Sequence, residues 1–133
     1  MALLSKAQIT SADDRKWEDV CVPEWGGTVR LLALSGTDRE AWELSTMVMG
    51  PNGSVQRRNL VDARAKLLAK CLIDEDGHRL FTDKEVKDLS AKSGAVIDRL
   101  FDIARRMSGL GKDAVEAKAG NFEAGPSAGS TSA

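Results

Sequence analysis

The chain has 133 residues, 42% of them apolar and 29% charged, which suits one soluble domain able to bury roughly two-thirds of its unfolded surface without disulfide or metal staples. Nineteen Lys and Arg against 20 Asp and Glu leave a net charge of −1, so the chain as a whole has no attraction for nucleic acid or an anionic membrane face. No apolar run approaches the ~20 residues of a bilayer span, and without a signal-peptide pattern Cys21 and Cys71 read as reduced, buried small side chains of a cytosolic protein.

Two β-like runs come first, residues 20–22 and 29–34. Between them Pro23, Trp25, Gly26 and Gly27 specify a bend that needs glycine's positive φ, with Trp25 folding back on its surroundings as a core anchor. Thr37 and Glu40 have capping-box spacing and predict a helix that carries Ala41, Trp42, Leu44, Val48 and Met49 until Gly50-Pro51-Asn52-Gly53 stops it. Asn59 predicts the cap of a second helix running through Leu72; Asp62 near its start and Lys66 and Lys70 near its end suit a surface helix. Gly77 closes an acidic turn over residues 74–77, and an extended connection leads to Thr82, whose spacing to Glu85 makes a second capping box. Phe81 and Val86 complete a hydrophobic staple there, Phe81 being the second core anchor. A short helix follows, then a break at Ser93 or Gly94, then a longer helix with Val96, Ile97, Leu100, Phe101 and Ala104 at helical spacing, closed by Ser108-Gly109. The expected architecture is α+β: a short N-terminal antiparallel strand pair followed by a bundle of four to five α-helices. Residues 1–118 form one domain, with a last helical turn at 112–118, and the Gly/Ala/Ser-rich stretch 119–133 is a flexible, disordered tail.

Catalytic material is scarce. His78 is the single histidine, tyrosine is absent, and no nucleophile-elbow, Walker or dinucleotide-binding pattern occurs, so an enzyme is not expected and no cofactor is implied. Asp74, Glu75 and Asp76 invite comparison with a calcium loop. Placing Gly77 at the invariant sixth position puts Leu72 at the first ligand position and Asp83 where a bidentate Glu belongs, which argues against a metal. Residues 86–105 have the outline of a helix-turn-helix, the alternative functional reading. Ile97, Asp98, Phe101 and Asp102 are poor groups for a DNA-reading surface, although Arg99, Arg105 and Arg106 are basic. A further basic stretch, Arg57, Arg58, Arg64, Lys66 and Lys70, reads as a solvated helix face. Met47, Met49 and Met107 offer adaptable apolar surface for a protein partner.

Three segments together resemble the tail assembly chaperones of long-tailed bacteriophages, of the type infecting Gram-positive, actinobacterial hosts. They are residues 22–27 with the strand after them, residues 69–77 with Arg79-Leu80-Phe81-Thr82, and residues 89–93 with Leu100-Phe101 and Ser108-Gly109-Leu110. The resemblance spans about residues 3–118. It implies a non-enzymatic assembly factor that binds the helical tape-measure protein in the host cytoplasm, keeps it soluble, promotes tail-tube assembly around it and is absent from the mature virion. The tail-tube protein and a second copy of the chain are further partners it allows; nucleic acid and membrane are not among them. The family also commonly makes a longer product by programmed frameshifting, for which the tail beyond Ala119 is a tolerable junction.

Overall fold

Residues 2–111 are described by the computed structural model; the expected helical turn at 112–118 and the tail from 119 lie outside the described residues. Near the N-terminus the Ser5 hydroxyl accepts from the Gln8 N–H at 3.2 Å while the Gln8 side chain accepts from the Ser5 N–H at 2.8 Å. This capping box opens helix α1 (Lys6–Ser11), none of which is buried.

Strands β1 (Trp17–Val22) and β2 (Gly27–Leu32) pair antiparallel, with Trp17 opposite Leu32 and Val22 opposite Gly27. β1 starts three positions before the β-branched run at 20–22. Arg30 donates to both carboxylate oxygens of Asp19 opposite it, at 2.7 and 3.0 Å, and its guanidinium lies 4.2 Å over the Trp17 ring. These cross-strand contacts continue the ladder outward. The bend between the strands is one turn of 3-10 helix (Pro23–Trp25), with proline at the start where its fixed φ fits. Gly26, at φ +80°, closes it by donating its N–H to the Pro23 carbonyl at 3.0 Å.

Helix α2 (Gly36–Ser45) is capped by Ser35, whose Oγ accepts from the Asp38 N–H at 3.1 Å, so Thr37 lies inside the helix instead of capping it. The helix expected to run through Met49 stops at Ser45. Thr46 directs both its N–H (3.1 Å) and its hydroxyl (2.7 Å) to the Glu43 carbonyl, and the chain leaves as β3 (Met47–Met49). β3 pairs with β4 (Val55–Arg58) in a hairpin with a register shift between Val48 and Met49; a turn over 50–54 joins them. Gly50-Pro51-Asn52-Gly53 is therefore a hairpin turn and not only a helix stop.

Helix α3 (Ala63–Cys71) begins later than Asn59. The Asn59 side chain accepts from the Val61 N–H at 3.2 Å, a local turn, and Asp62 enters the helix at φ +56°. Far from lying on the surface, α3 is the central helix: Leu67, Leu68, Ala69 and Cys71 have no exposed area. Alanines at 63, 65 and 69 leave room for neighbours on several sides, and helices α4 (Val86–Ser90) and α5 (Gly94–Met107) both pack against it. Leu72 does not continue α3. It starts β5 (Leu72–Ile73), which joins the far side of β2 with Leu72 opposite Leu31, giving a three-stranded antiparallel sheet in the order β1-β2-β5.

Downstream, the Glu85 carboxylate accepts from the Thr82 N–H at 2.8 Å in a capping box. One 3-10 turn (Asp83–Glu85) then leads into α4. α5 buries Val96, Ile97, Leu100, Phe101 and Ala104 along one stripe and ends at Ser108 and Gly109, the latter at φ +77°. The core lies between the inner sheet face and α2, α3, α4 and α5, where Leu31, Leu67, Leu89, Leu100 and Trp42 are sealed. The fold is α+β, with the β3–β4 hairpin and strand β5 additions to the expected strand pair.

Candidate partner-binding surface

Trp42 is the aromatic at the centre of the core. It is fully buried, its indole N–H donates to the Ala63 carbonyl at 2.8 Å, and its ring lies 6.5 Å from that of Phe101. Trp25 and Phe81 are half-buried and pack against the core from its margin. Gly26 and Gly77 take positive φ, +80° and +85°; Gly27 does not, and sits in the β1–β2 ladder. Pro23, Gly77 and Thr82 thus each shape a turn or a helix start.

The cysteines differ from expectation in one respect. Cys71 is buried, which pushes its thiol up to about 12, but Cys21 is exposed on β1. It pairs with Thr28, on the face of the two-stranded ladder opposite Val22 and Leu31.

His78 is a solvated side chain, with Nδ1 4.0 Å from Asp74. Asp74, Asp76 and His78 can bring one ligand atom each within 4.8 Å of one another. Asp74 Oδ1 already accepts from the N–H groups of Asp76 at 2.8 Å and His78 at 3.0 Å, and these bonds to the turn, His78 first, lower its pKa. That carboxylate is shaped to hold the turn.

The helix-turn-helix outline loses its reading face. Ile97 and Phe101 belong to the core, Asp98 pairs with Arg64 at 3.3 Å and Asp102 with Arg105. Arg99 makes a bidentate contact with Glu24 at 2.9 and 3.0 Å, which holds the Glu24 carboxyl down at about 2.

Apolar groups at the surface fall in several places. Leu44 on α2, Met49 on β3 and Val61 before α3 are 61%, 49% and 61% exposed, and Met47 is half-buried. Met107, also half-buried, lines a separate depression with Arg15, Ala33 and Ser108, one that neither Met47 nor Met49 reaches.

A groove of about 350 Å³ runs between α2, α3 and α4. Ala41 and Ser45 form one wall, Lys66 and Lys70 the floor, and Val86 and Lys87 the other wall. Asp62, Asp83 and Lys84 also border it. Lys87 pairs with Asp62 at 2.7 Å, and Lys70, only 8% exposed, approaches Asp83 at 3.4 Å. Asp62 is held below the usual carboxylate range by Lys87 and then Ser90, and Asp83 by Arg79 foremost, with Lys70 adding to it. Lys66 reaches the Ser45 carbonyl at 3.5 Å. Lys84 makes no ion pair among the described residues. In sequence, Lys66 and Lys70 read as a solvated face. Lys84 and Lys87 stand in a separate helix start, and nothing local shows that the four converge.

Among the described residues, no helix is long and apolar enough to cross a membrane. The sequence model of the family described as phage tail assembly chaperone matches residues 5–120. No curated protein matches the chain. Among solved structures, the bacteriophage HK97 tail assembly chaperone aligns with a TM-score of 0.55 over 76% of this chain and 90% of that one, at 24% identity, a likeness of fold.

Proposed function

We propose that this chain, which belongs to the phage tail assembly chaperone family, binds the tape-measure protein, keeps it soluble and promotes tail-tube assembly around it. The observation that carries this reading is the family match over residues 5–120. The surface supports it: Leu44, Met49 and Val61 stand exposed outside a closed core, where an amphipathic helix with an uncovered stripe finds apolar and adaptable contacts. Met47 and Met107 are the secondary contacts of this proposal, and the tail-tube protein is the further partner. Such an assembly factor acts in the host cytoplasm and stays out of the mature virion; a long-tailed phage of a Gram-positive, actinobacterial host is the source proposed, and a frameshifted longer product belongs to the same reading.

Co-expression tests it. With the tape-measure protein of the same phage, this chain is expected to shift that protein from the insoluble to the soluble fraction and to co-purify with it. Leu44→Ser with Met49→Ser should abolish both effects at unchanged thermal stability, because these side chains are exposed. A tape-measure protein equally soluble without this chain overturns the proposal.

A further inference from the structure

The groove between α2, α3 and α4 concentrates positive charge on a protein whose net charge is −1. Four of its bordering residues are lysines and two are aspartates. One of those aspartates, Asp83, is shared with Arg79, whose guanidinium lies 2.8 Å from it. Lysine stems supply apolar lining while their ammonium groups reach toward water or a carboxylate. Ala41 and Val86 add aliphatic surface. Leu44, 61% exposed, follows Ala41 by three positions and so stands beside it on α2, extending the apolar strip out of the groove. An apolar strip flanked by lysines matches one kind of ligand: a helix with an aliphatic stripe bordered by carboxylates.

We infer that this groove is the docking site for an acidic amphipathic helix of the protein partner, with aliphatic side chains against Ala41, Leu44 and Val86 and Asp or Glu side chains meeting Lys66 and Lys84. The inference deepens the tape-measure reading, and rests on it for the partner's identity but not for the groove's chemistry. The volume of about 350 Å³ suits a few aliphatic side chains, leaving the helix backbone outside, as in helix-in-groove recognition. Lys70 and Lys87 are already held by Asp83 and Asp62. Lys66, which hydrogen-bonds a backbone carbonyl and acts on Asp62 only through space, and Lys84, neither of them in an ion pair among the described residues, are the cations best able to turn to a partner carboxylate. Because the rim is open to water, the charge component selects the partner and weakens with salt.

The probe is a fluorescein-labelled synthetic helix with leucines at i, i+3, i+4 and i+7 and glutamates flanking them, read by anisotropy against the full chain. The control peptide has lysine at every glutamate position. The glutamate peptide is expected to bind, more weakly as salt rises, and the lysine peptide not to bind. The double variant Lys66→Glu, Lys84→Glu is expected to raise the peptide Kd roughly tenfold or more, a loss typical of reversed rim charges. If the double variant melts early, Lys84→Glu alone, at an exposed site, is read in its place and is expected to weaken binding in the same direction. Equal binding of the two peptides, or a well-folded charge-reversal variant with unchanged Kd, overturns the groove assignment. Tape-measure solubility is scored in parallel and separates the two ideas. If the wild-type chain binds the glutamate peptide yet leaves the tape-measure protein insoluble, the chaperone reading fails and the groove's chemistry stands. If the variant loses the peptide but still solubilises the tape-measure protein, the groove is not where that partner docks, and the assignment of the partner is overturned.

Discussion

Two adjacent glycines after a proline look equivalent in sequence, yet only one has a conformation that glycine must supply. Gly26 sits at φ +80°, where a Cβ costs about 1–2 kcal/mol, whereas Gly27 is an ordinary strand residue with open space where its Cβ would be. Gly26→Ala is therefore expected to lower stability by about 1 kcal/mol or more, and Gly27→Ala to be neutral or stabilising by up to ~1 kcal/mol. Urea melts of the two variants check the contrast. Tryptophans separate in the same way. Trp42 is fully enclosed and Trp25 half-enclosed, so Trp42→Ala should cost about 3–5 kcal/mol and Trp25→Ala clearly less, about 1–3 kcal/mol. Equal losses would place Trp25 as deep in the core as Trp42, against its observed exposure.

Elements are tied to one another by charge as well as by packing. Asp62 links the start of α3 to Lys87 and Ser90 of α4, and those contacts help hold the one non-glycine residue with positive φ among the described residues. Glu24 and Arg99 link the β1–β2 bend to α5 at the surface, with side chains 47% and 42% exposed, so the pair contributes little at neutral pH. Its pH signature is clearer than its magnitude. The Glu24 pKa falls from its usual 4.5 to about 2 in the fold, so its contribution is complete above 4.5 and is lost as pH falls toward about 2. Asp19, Asp62, Asp74 and Asp83 are lowered too, and their contributions have the same sign. Stability should therefore drop through the carboxylate range on acidification, and Glu24→Gln should flatten the drop between pH 4.5 and about 2; thermal midpoints across that window measure it. An unchanged slope would show that Arg99 does not hold Glu24 in solution.

At the scale of the whole molecule, the folded domain and not the C-terminal stretch carries the proposed binding. Residues 121–133 contain one large apolar side chain, Phe122, which could contribute at most about 1.5–3 kcal/mol of burial. A chain ending at residue 120 should therefore solubilise and co-purify with the tape-measure protein as the full chain does. A complex that vanishes only on that truncation would move the binding function to the tail.

Much of the architecture was legible because its signals are local. Thr82 with Glu85, the alternating strands around Pro23-Trp25-Gly26, and the stripe from Val96 to Ala104 each carry their geometry within a few residues, where caps, turns and periodicity act. The family resemblance was legible on the same segments. Three larger features, beyond the shifted α2 cap and the strand at Leu72–Ile73, were not. Thr46-Met47-Val48-Met49 fits a helix by spacing until residues 55–58 arrive as a strand partner, and a ladder contact across a turn outweighs a weak helical preference. Helix α3 has the charge order of a surface helix and becomes the central one, because burial is set by how many neighbours pack around a helix and not by the helix alone. The lysine groove joins Lys66 and Lys70 of α3 to Lys84 and Lys87 across a separate turn and helix, and Ala41 and Val86 meet beside them only when α2 and α4 are packed on either side of α3. Sequence by itself thus determined the bends at Gly26 and Gly77, the Thr82–Glu85 cap, the helical stripe and the family, but not the caps of α2 and α3, which fall at Ser35 and Asp62. The inside of the molecule and the lysine-lined groove between α2, α3 and α4 were decided by tertiary packing, since both depend on distances between residues far apart along the chain.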